Sequence, residues 1–148
     1  PEVSFRLQLF LLVLKQPALA GLLLTTSVFK QVLKTGIYNH DLITPELISC
    51  FQAPWIADGA GKKAFSNTIR LPLDKMVEPV DKIKKIKTPT LILWGKKDIY
   101  FPFSVARRLH QNLENSKLVG IENAAHFCQE EEPGFITRKI REFLNGNL

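Results

Sequence analysis

Hydrophobic residues recur along this chain in two rhythms, and the change between them falls near Leu73 to Val80. Upstream the rhythm is helical and comes in short pieces separated by breakers: Ser4 to Lys15, Ala18 to Leu24, and Ser27 to Lys34 closed by Gly36. In the third piece Val28 and Phe29 recur one turn later as Val32 and Leu33, which puts an apolar stripe on one face. A fourth helix is predicted to open at Thr44-Pro45, with Thr44 as N-cap and Pro45 at the first helical position, and to run to about Gln52, ahead of Pro54. A fifth is expected from about Gly61 to Arg70. The first half therefore reads as all helix.

After Lys87 the rhythm shortens. Pro89 to Trp94 is a β run ending at Gly95, and an amphipathic segment follows from about Phe103 to Leu113, with Val105, Leu109 and Leu113 at helical spacing. Ser116 to Ile121 is a second β run. It leads into a loop containing His126, and a last helix opens at Pro133 with Phe135, Ile136, Ile140, Phe143 and Leu144 on one face. Strand, loop, helix, strand, loop, helix is the order of βα units, so the fold class expected is α/β, with a parallel sheet covered on both sides and a helical region before it. Residues 1–75 form the helical region in this reading, and 76–148 the sheet region.

Composition narrows the function classes. The 148 residues are 45% hydrophobic and 23% charged, ordinary values for a globular domain with its own core. The net charge of +6 is spread along the chain. Its densest stretch, Lys82, Lys84, Lys85 and Lys87, is interleaved with Ile83 and Ile86, the pattern of a solvated face beside a buried stripe rather than of a nucleic-acid or anionic-membrane patch. Cys50 and Cys128 lie far apart in apolar surroundings, so two reduced thiols are expected, with no disulfide framework and no metal site. The Leu- and Phe-rich stretch Phe5 to Leu24 is broken by Lys15 and Pro17, too short a run to span a bilayer, and it lacks the frame of a signal peptide. A cytoplasmic protein without cofactor is the expectation. The chain starts Pro1-Glu2-Val3 with Met76 its only methionine, which reads as a fragment, a processed product or a truncated form.

In a parallel sheet the loops leaving the carboxyl ends of the strands open on one edge, where ligands bind. Asp98 lies just past the first strand and His126 just past the second, 28 residues later, the length that one crossover helix and one strand consume. A carboxylate there can accept the proton of one imidazole nitrogen, fix the tautomer, and stabilise the imidazolium formed when the other nitrogen takes a proton. Singly, Asp98 after Gly95-Lys96-Lys97 reads equally as a turn residue, and His126 as a hydrogen-bonded structural histidine. Their equivalent loop positions, acid first and histidine second, favour an acid and base pair.

Pro89-Thr90-Leu91-Ile92-Leu93-Trp94-Gly95-Lys96-Lys97-Asp98 resembles the strand and acid loop of the α/β-hydrolase superfamily, written P-T-L-hydrophobic-hydrophobic-W-G-x-x-D. Ala125-His126-Phe127-Cys128-Gln129-Glu130-Glu131-Glu132-Pro133 is similar to its histidine loop, G-H-F-x-Q-E-E-x-P. The family order along the chain is nucleophile, acid, histidine. The resemblance implies the C-terminal part of an α/β-hydrolase parallel sheet, preceded by a helical lid like that of haloalkane dehalogenases, epoxide hydrolases and related serine hydrolases. Phe51, Trp55, Ile56 and Phe65 of the lid, with Ile99 and Phe127 beside the two loops, become candidate substrate-binding residues.

Three departures from the pattern matter. Ala125 stands where the family has glycine, which requires a negative φ there. Some dehalogenases carry the acid after an earlier strand, which would give Asp98 a lesser role. No G-x-S-x-G elbow, and no equivalent with Asp or Cys, occurs anywhere in the sequence. Ser104 is expected to cap the helix after it. The reading is thus a hydrolase of small apolar esters, epoxides or haloalkanes for which this chain supplies acid and histidine. The N-terminal half of the same fold, or a second copy of the chain, is the expected macromolecular partner, with no nucleic acid and no membrane. Tyr38, the only tyrosine of the lid, is the one side chain comparable with the lid tyrosines of epoxide hydrolases. The rival reading is a non-catalytic fragment or interaction module derived from such a hydrolase.

Overall fold

The computed structural model describes residues 24–69 and 80–147. Helix α1 (Thr26–Gly36) starts where the Thr25 hydroxyl accepts the Val28 N–H at 3.3 Å, relieving one of the orphan donors of the first turn. Its stripe of Phe29 and Leu33 continues into Ile37, and with Ile48 these residues form the buried centre of a helical layer. A 3-10 turn (His40–Leu42) leads to α2 (Pro45–Ile56), which Thr44 caps by accepting the Leu47 N–H at 3.2 Å, with Pro45 in the first turn. Helix α3 (Gly59–Ile69) closes the layer, setting Phe65 against Phe29 and Trp55. The predicted Thr44 cap and the α1 stripe are present, and the Thr25 cap adds a start for α1 that the sequence reading did not name.

The sheet region begins with a short helix, α4 (Val80–Ile83). Strand β1 (Thr90–Gly95), helix α5 (Phe103–Asn112) and strand β2 (Ser116–Ile121) follow. The strands pair in parallel, with Ile92 opposite Leu118 and Gly95 opposite Ile121. Side chains alternate across a strand. Ile92 and Trp94 accordingly pack with Ala106 and Leu113 of the α5 side. Leu93 joins the other face, with Ile121, Ala124 and Ile136. Ile136 belongs to α7 (Pro133–Leu144), which a short helix, α6 (Cys128–Glu131), precedes. Helices thus cover both faces of the pair, as the βα order predicts. Among the described residues each strand keeps one edge without a strand partner. No helix among them is long and apolar enough to cross a membrane.

Several expectations change. Helix α2 runs through Pro54 to Ile56, with the Ala57 N–H reaching the Ala53 carbonyl at 3.0 Å. Proline costs one donor there, but Phe51 before it and Trp55 after it both pack on the layer's core, and that burial carries the helix across. Cys50 is exposed rather than in apolar surroundings, because it sits off the face that Ile48 buries. Ser104 does not cap α5: the N-cap position is Pro102, and Ser104 lies inside the first turn, exposed. On the apolar face of α7, Phe135 and Ile136 meet the sheet and Phe143 is half-buried, while Ile140 and Leu144 are 42% and 75% exposed. Of the lysine-rich stretch, Ile83 packs under α5 whereas Ile86 is exposed. The helix expected at Ser4 to Lys15, that expected at Ala18 to Leu24 except for Leu24 itself, and the change of rhythm with its boundary near residue 75 lie outside the described residues.

Candidate active site

The parallel register ends both strands at one level and sends their loops out side by side. The Lys96 N–H extends the ladder to the Ile121 carbonyl at 2.8 Å, and the Lys97 N–H reaches the Ala124 carbonyl at 2.9 Å. This zips the acid loop to the histidine loop one residue before Asp98 and two before His126. The close approach depends on Gly95, where a Cβ would come within 2.1 Å of the Ala125 carbonyl oxygen and 2.4 Å of that of Ala124. The neighbours are backbone and cannot step aside cheaply. Gly95→Ala is therefore expected to destabilise the fold by about 2 kcal/mol or more, read as the change in urea midpoint, and to displace the histidine loop.

Asp98 is the one buried charged residue among those described, 8% exposed. Its Oδ1 accepts the N–H groups of Tyr100 at 2.8 Å and Phe101 at 3.0 Å, a local turn that holds the carboxylate in one orientation. The Phe101 carbonyl is in turn held by the Trp94 indole N–H at 3.0 Å, so the aromatic residue of β1 fastens the acid loop to the sheet. That leaves Oδ2 for His126, whose Nδ1 lies 3.0 Å away. Because an ionised carboxylate only accepts, Nδ1 carries the proton in this bond, and Nε2 of the neutral ring is left with a lone pair. Nε2 makes no hydrogen bond among the described residues. The His126 side chain is 33% exposed, against 4% for Asp98, so the carboxylate is buried and the imidazole is partly accessible.

Three aromatic rings surround the imidazole: Phe127 and Tyr100 edge-on at 5.0 and 5.1 Å, and Phe101 tilted at 5.8 Å. Tyr100 also bonds through its hydroxyl to the Thr35 hydroxyl on α1, tying the acid loop to the helical layer. Burial raises the Tyr100 phenol above its ordinary value, the Thr35 bond opposes that, and the Asp98 charge adds to it, so the ring stays a neutral phenol. The Phe127 N–H donates to the Gly36 carbonyl at 3.0 Å, and its ring lies where a Gly36 Cβ would stand, 2.5 Å away. Ala125 is accommodated because no non-glycine residue among those described has positive φ. The departure from the family glycine is thus harmless.

The sequence-predicted residues divide by position. Asp98 and His126 meet. Phe51 reaches the site indirectly, its ring edge-on to Phe127 at 5.0 Å. Trp55 and Phe65 pack on each other inside the helical layer, Ile56 is 43% exposed, and Ile99 on the acid loop is 42% exposed. Tyr38 is exposed, with the Lys97 ammonium 5.6 Å over its ring. Tyr100, Phe101 and Glu131 were not singled out by the sequence, although their fixed spacing from Asp98 and His126 offered a signal. Cys128, the nucleophilic residue type nearest the pair in sequence, is unsuited to attack. Burial raises its thiol above the ordinary range and the charges of Glu131 and Asp98 reinforce this, while backbone bonds at Cys128 and Gly95 oppose it, so it remains protonated. No group of His, Cys, Asp and Glu that could hold a metal ion occurs among the described residues.

A family model described as the alpha/beta hydrolase fold matches residues 15–133. An uncharacterized hydrolase, YugF, of Bacillus subtilis (strain 168) is 32% identical over 108 residues, which cover 73% of this chain and 38% of that protein. Epoxide hydrolase 1 of Caenorhabditis elegans is 28% identical over 110 residues, covering 74% of this chain and 27% of its own length. The chain therefore spans well under half the length of these curated relatives. Among solved structures, a meta-cleavage product hydrolase from Pseudomonas fluorescens IP01 superposes with a TM-score of 0.78 over 100% of this chain and 52% of that one, at 21% identity, a likeness of fold.

Proposed function

The chain belongs to the alpha/beta hydrolase family, and we propose that Asp98 and His126 are the acid and base of a hydrolytic triad whose nucleophile lies in a segment outside this sequence. The observation that carries the reading is the 3.0 Å bond from Nδ1 to Asp98, made by an imidazole that is partly exposed. In the proposed cycle Nε2 takes a proton from the attacking group or water, and Asp98 stabilises the resulting imidazolium. Serine as nucleophile gives an esterase-like transfer of an acyl group to water. Aspartate gives an alkyl-enzyme, the route open to an epoxide or haloalkane.

The substrate proposed is small and mostly apolar, because the imidazole is framed by Tyr100, Phe101 and Phe127 rather than by charged side chains. Phe51, Ile99 and Phe127 are assigned to the pocket wall. Trp55 and Phe65 back it from within the helical layer, and Ile56 stands at its rim. The helical layer acts as the lid in this reading, joined to the catalytic loops through Thr35 and Gly36. The test is to combine this chain with the segment supplying the nucleophile and to assay short-chain esters, a terminal epoxide and a haloalkane, with His126→Ala as control. Turnover indifferent to that substitution would leave only the reading as a non-catalytic module.

The strand edges that have no strand partner among the described residues carry a further expectation. A two-stranded parallel sheet with open edges is a weak unit that pairs readily with other strands. Size-exclusion of the isolated chain should give self-associated species, replaced by a defined complex once the remainder of the fold is added. A compact monomer that melts cooperatively would contradict this.

A further inference from the structure

Glu131 is the middle of three consecutive glutamates, 130–132, and its carboxylate is engaged at both oxygens. Oε2 accepts the Ala125 N–H at 2.6 Å, while Oε1 accepts the N–H groups of Tyr38 at 2.7 Å and Asn39 at 2.9 Å. Three backbone donors from two distant segments thus converge on one anion, in bonds about twice as strong as neutral ones. One segment is the chain just past the end of α1. The other is the residue immediately before His126. On the far side of the histidine, the Phe127 N–H is held by the Gly36 carbonyl, the last residue of α1. Both amides flanking His126 are therefore bonded either to the end of α1 or to the carboxylate that grips it.

We infer that Glu131 is a positioning residue: through the Ala125 amide it fixes the backbone that aims the His126 imidazole at Asp98, and it locks the end of α1 to that loop. The inference rests on the reading of Asp98 and His126 as acid and base. The bonds of Glu131 run to backbone and not to the imidazole, so its effect on chemistry is indirect. Its neighbours do not share this arrangement: Glu130 is exposed, and the backbone of Glu132 forms the N-cap of α7 without a side-chain bond. An amide at position 131 is a poor substitute, since its NH₂ faces an N–H where a second acceptor is needed.

The test uses the complete protein that contains this chain, comparing Glu131→Gln and Glu131→Asp with the parent. A displacement of about 1 Å in a reacting group can cost about a hundredfold. Glu131→Gln should therefore lower kcat by roughly 10- to 100-fold with KM within about threefold, and Glu131→Asp should fall between it and the parent. The low-field proton resonance of His126 Nδ1–H, recorded well below the melting temperature, should broaden or move upfield in the Gln variant. Unchanged kcat and an unmoved resonance in a folded Gln variant would overturn the inference, as would lost turnover with the resonance unmoved. Failure of both variants to fold would assign Glu131 to the fold alone. If His126→Ala retained full turnover, the acid and base reading would fail by itself. The resonance would still report on Glu131, because it needs no turnover.

Discussion

Replacing His126 with alanine in the assembled enzyme is expected to lower kcat by roughly 10⁵-fold with little change in KM, because the proposed proton acceptor paired with Asp98 is removed. The size of the effect separates it from a folding defect. A fall of 10⁵ corresponds to about 7 kcal/mol of transition-state stabilisation. The structural cost is smaller: His126 is partly exposed, and its loss leaves Asp98 Oδ2 without a partner while Oδ1 keeps its two backbone donors, on the order of 1–3 kcal/mol. Steady-state kinetics alongside a urea melt checks both numbers. Activity and stability lost in equal measure would point to a structural histidine.

Asp98→Asn is the second large effect, and it tests the orientation of the pair rather than its presence. The asparagine carbonyl can still accept from Tyr100 and Phe101, so the turn that holds the acid loop is retained. Its NH₂ then faces Nδ1, which forces the ring proton onto Nε2 and leaves no lone pair for the substrate side. On that basis kcat should drop about 10⁴-fold with the fold intact. Combining Asp98→Asn with His126→Ala should be no worse than His126→Ala alone, since groups that act as one unit are not additive. A double variant worse by the product of the two single losses would mean that the residues act separately.

The parts of this arrangement legible in the sequence are those set by short-range pattern. The run from Pro89 to Gly95 and the run from Ser116 to Ile121 are short β runs marked off by turn signals, so the strands, their loops and the meeting of Asp98 with His126 could be inferred from spacing. Thr44-Pro45 marked the start of α2 for the same reason. What escaped depends on partners far along the chain. Glu130 and Glu131 are equivalent positions of the histidine-loop pattern, and only the packing of α1 against that loop selects Glu131 to turn inward. Tyr100 reads as one aromatic among several until Thr35 supplies its hydroxyl partner. Pro54 looked like a helix end because the local rule was applied without the burial of Phe51 and Trp55 on either side. The stripe on α7 was read as one apolar face, and within it Ile140 and Leu144 are 42% and 75% exposed. The helical layer as a lid, and the identity of the nucleophile, depend on residues that neither the local pattern nor the described structure supplies.

The most direct measurement is the ¹⁵N spectrum of the His126 imidazole, taken at a pH where the ring is neutral and repeated with Asp98→Asn. A protonated Nδ1 with a lone pair on Nε2, exchanging to the other tautomer when Asp98 becomes asparagine, is the expected result. A ring protonated at Nε2, or a spectrum indifferent to residue 98, would contradict the pairing of carboxylate and imidazole on which the proposed chemistry depends.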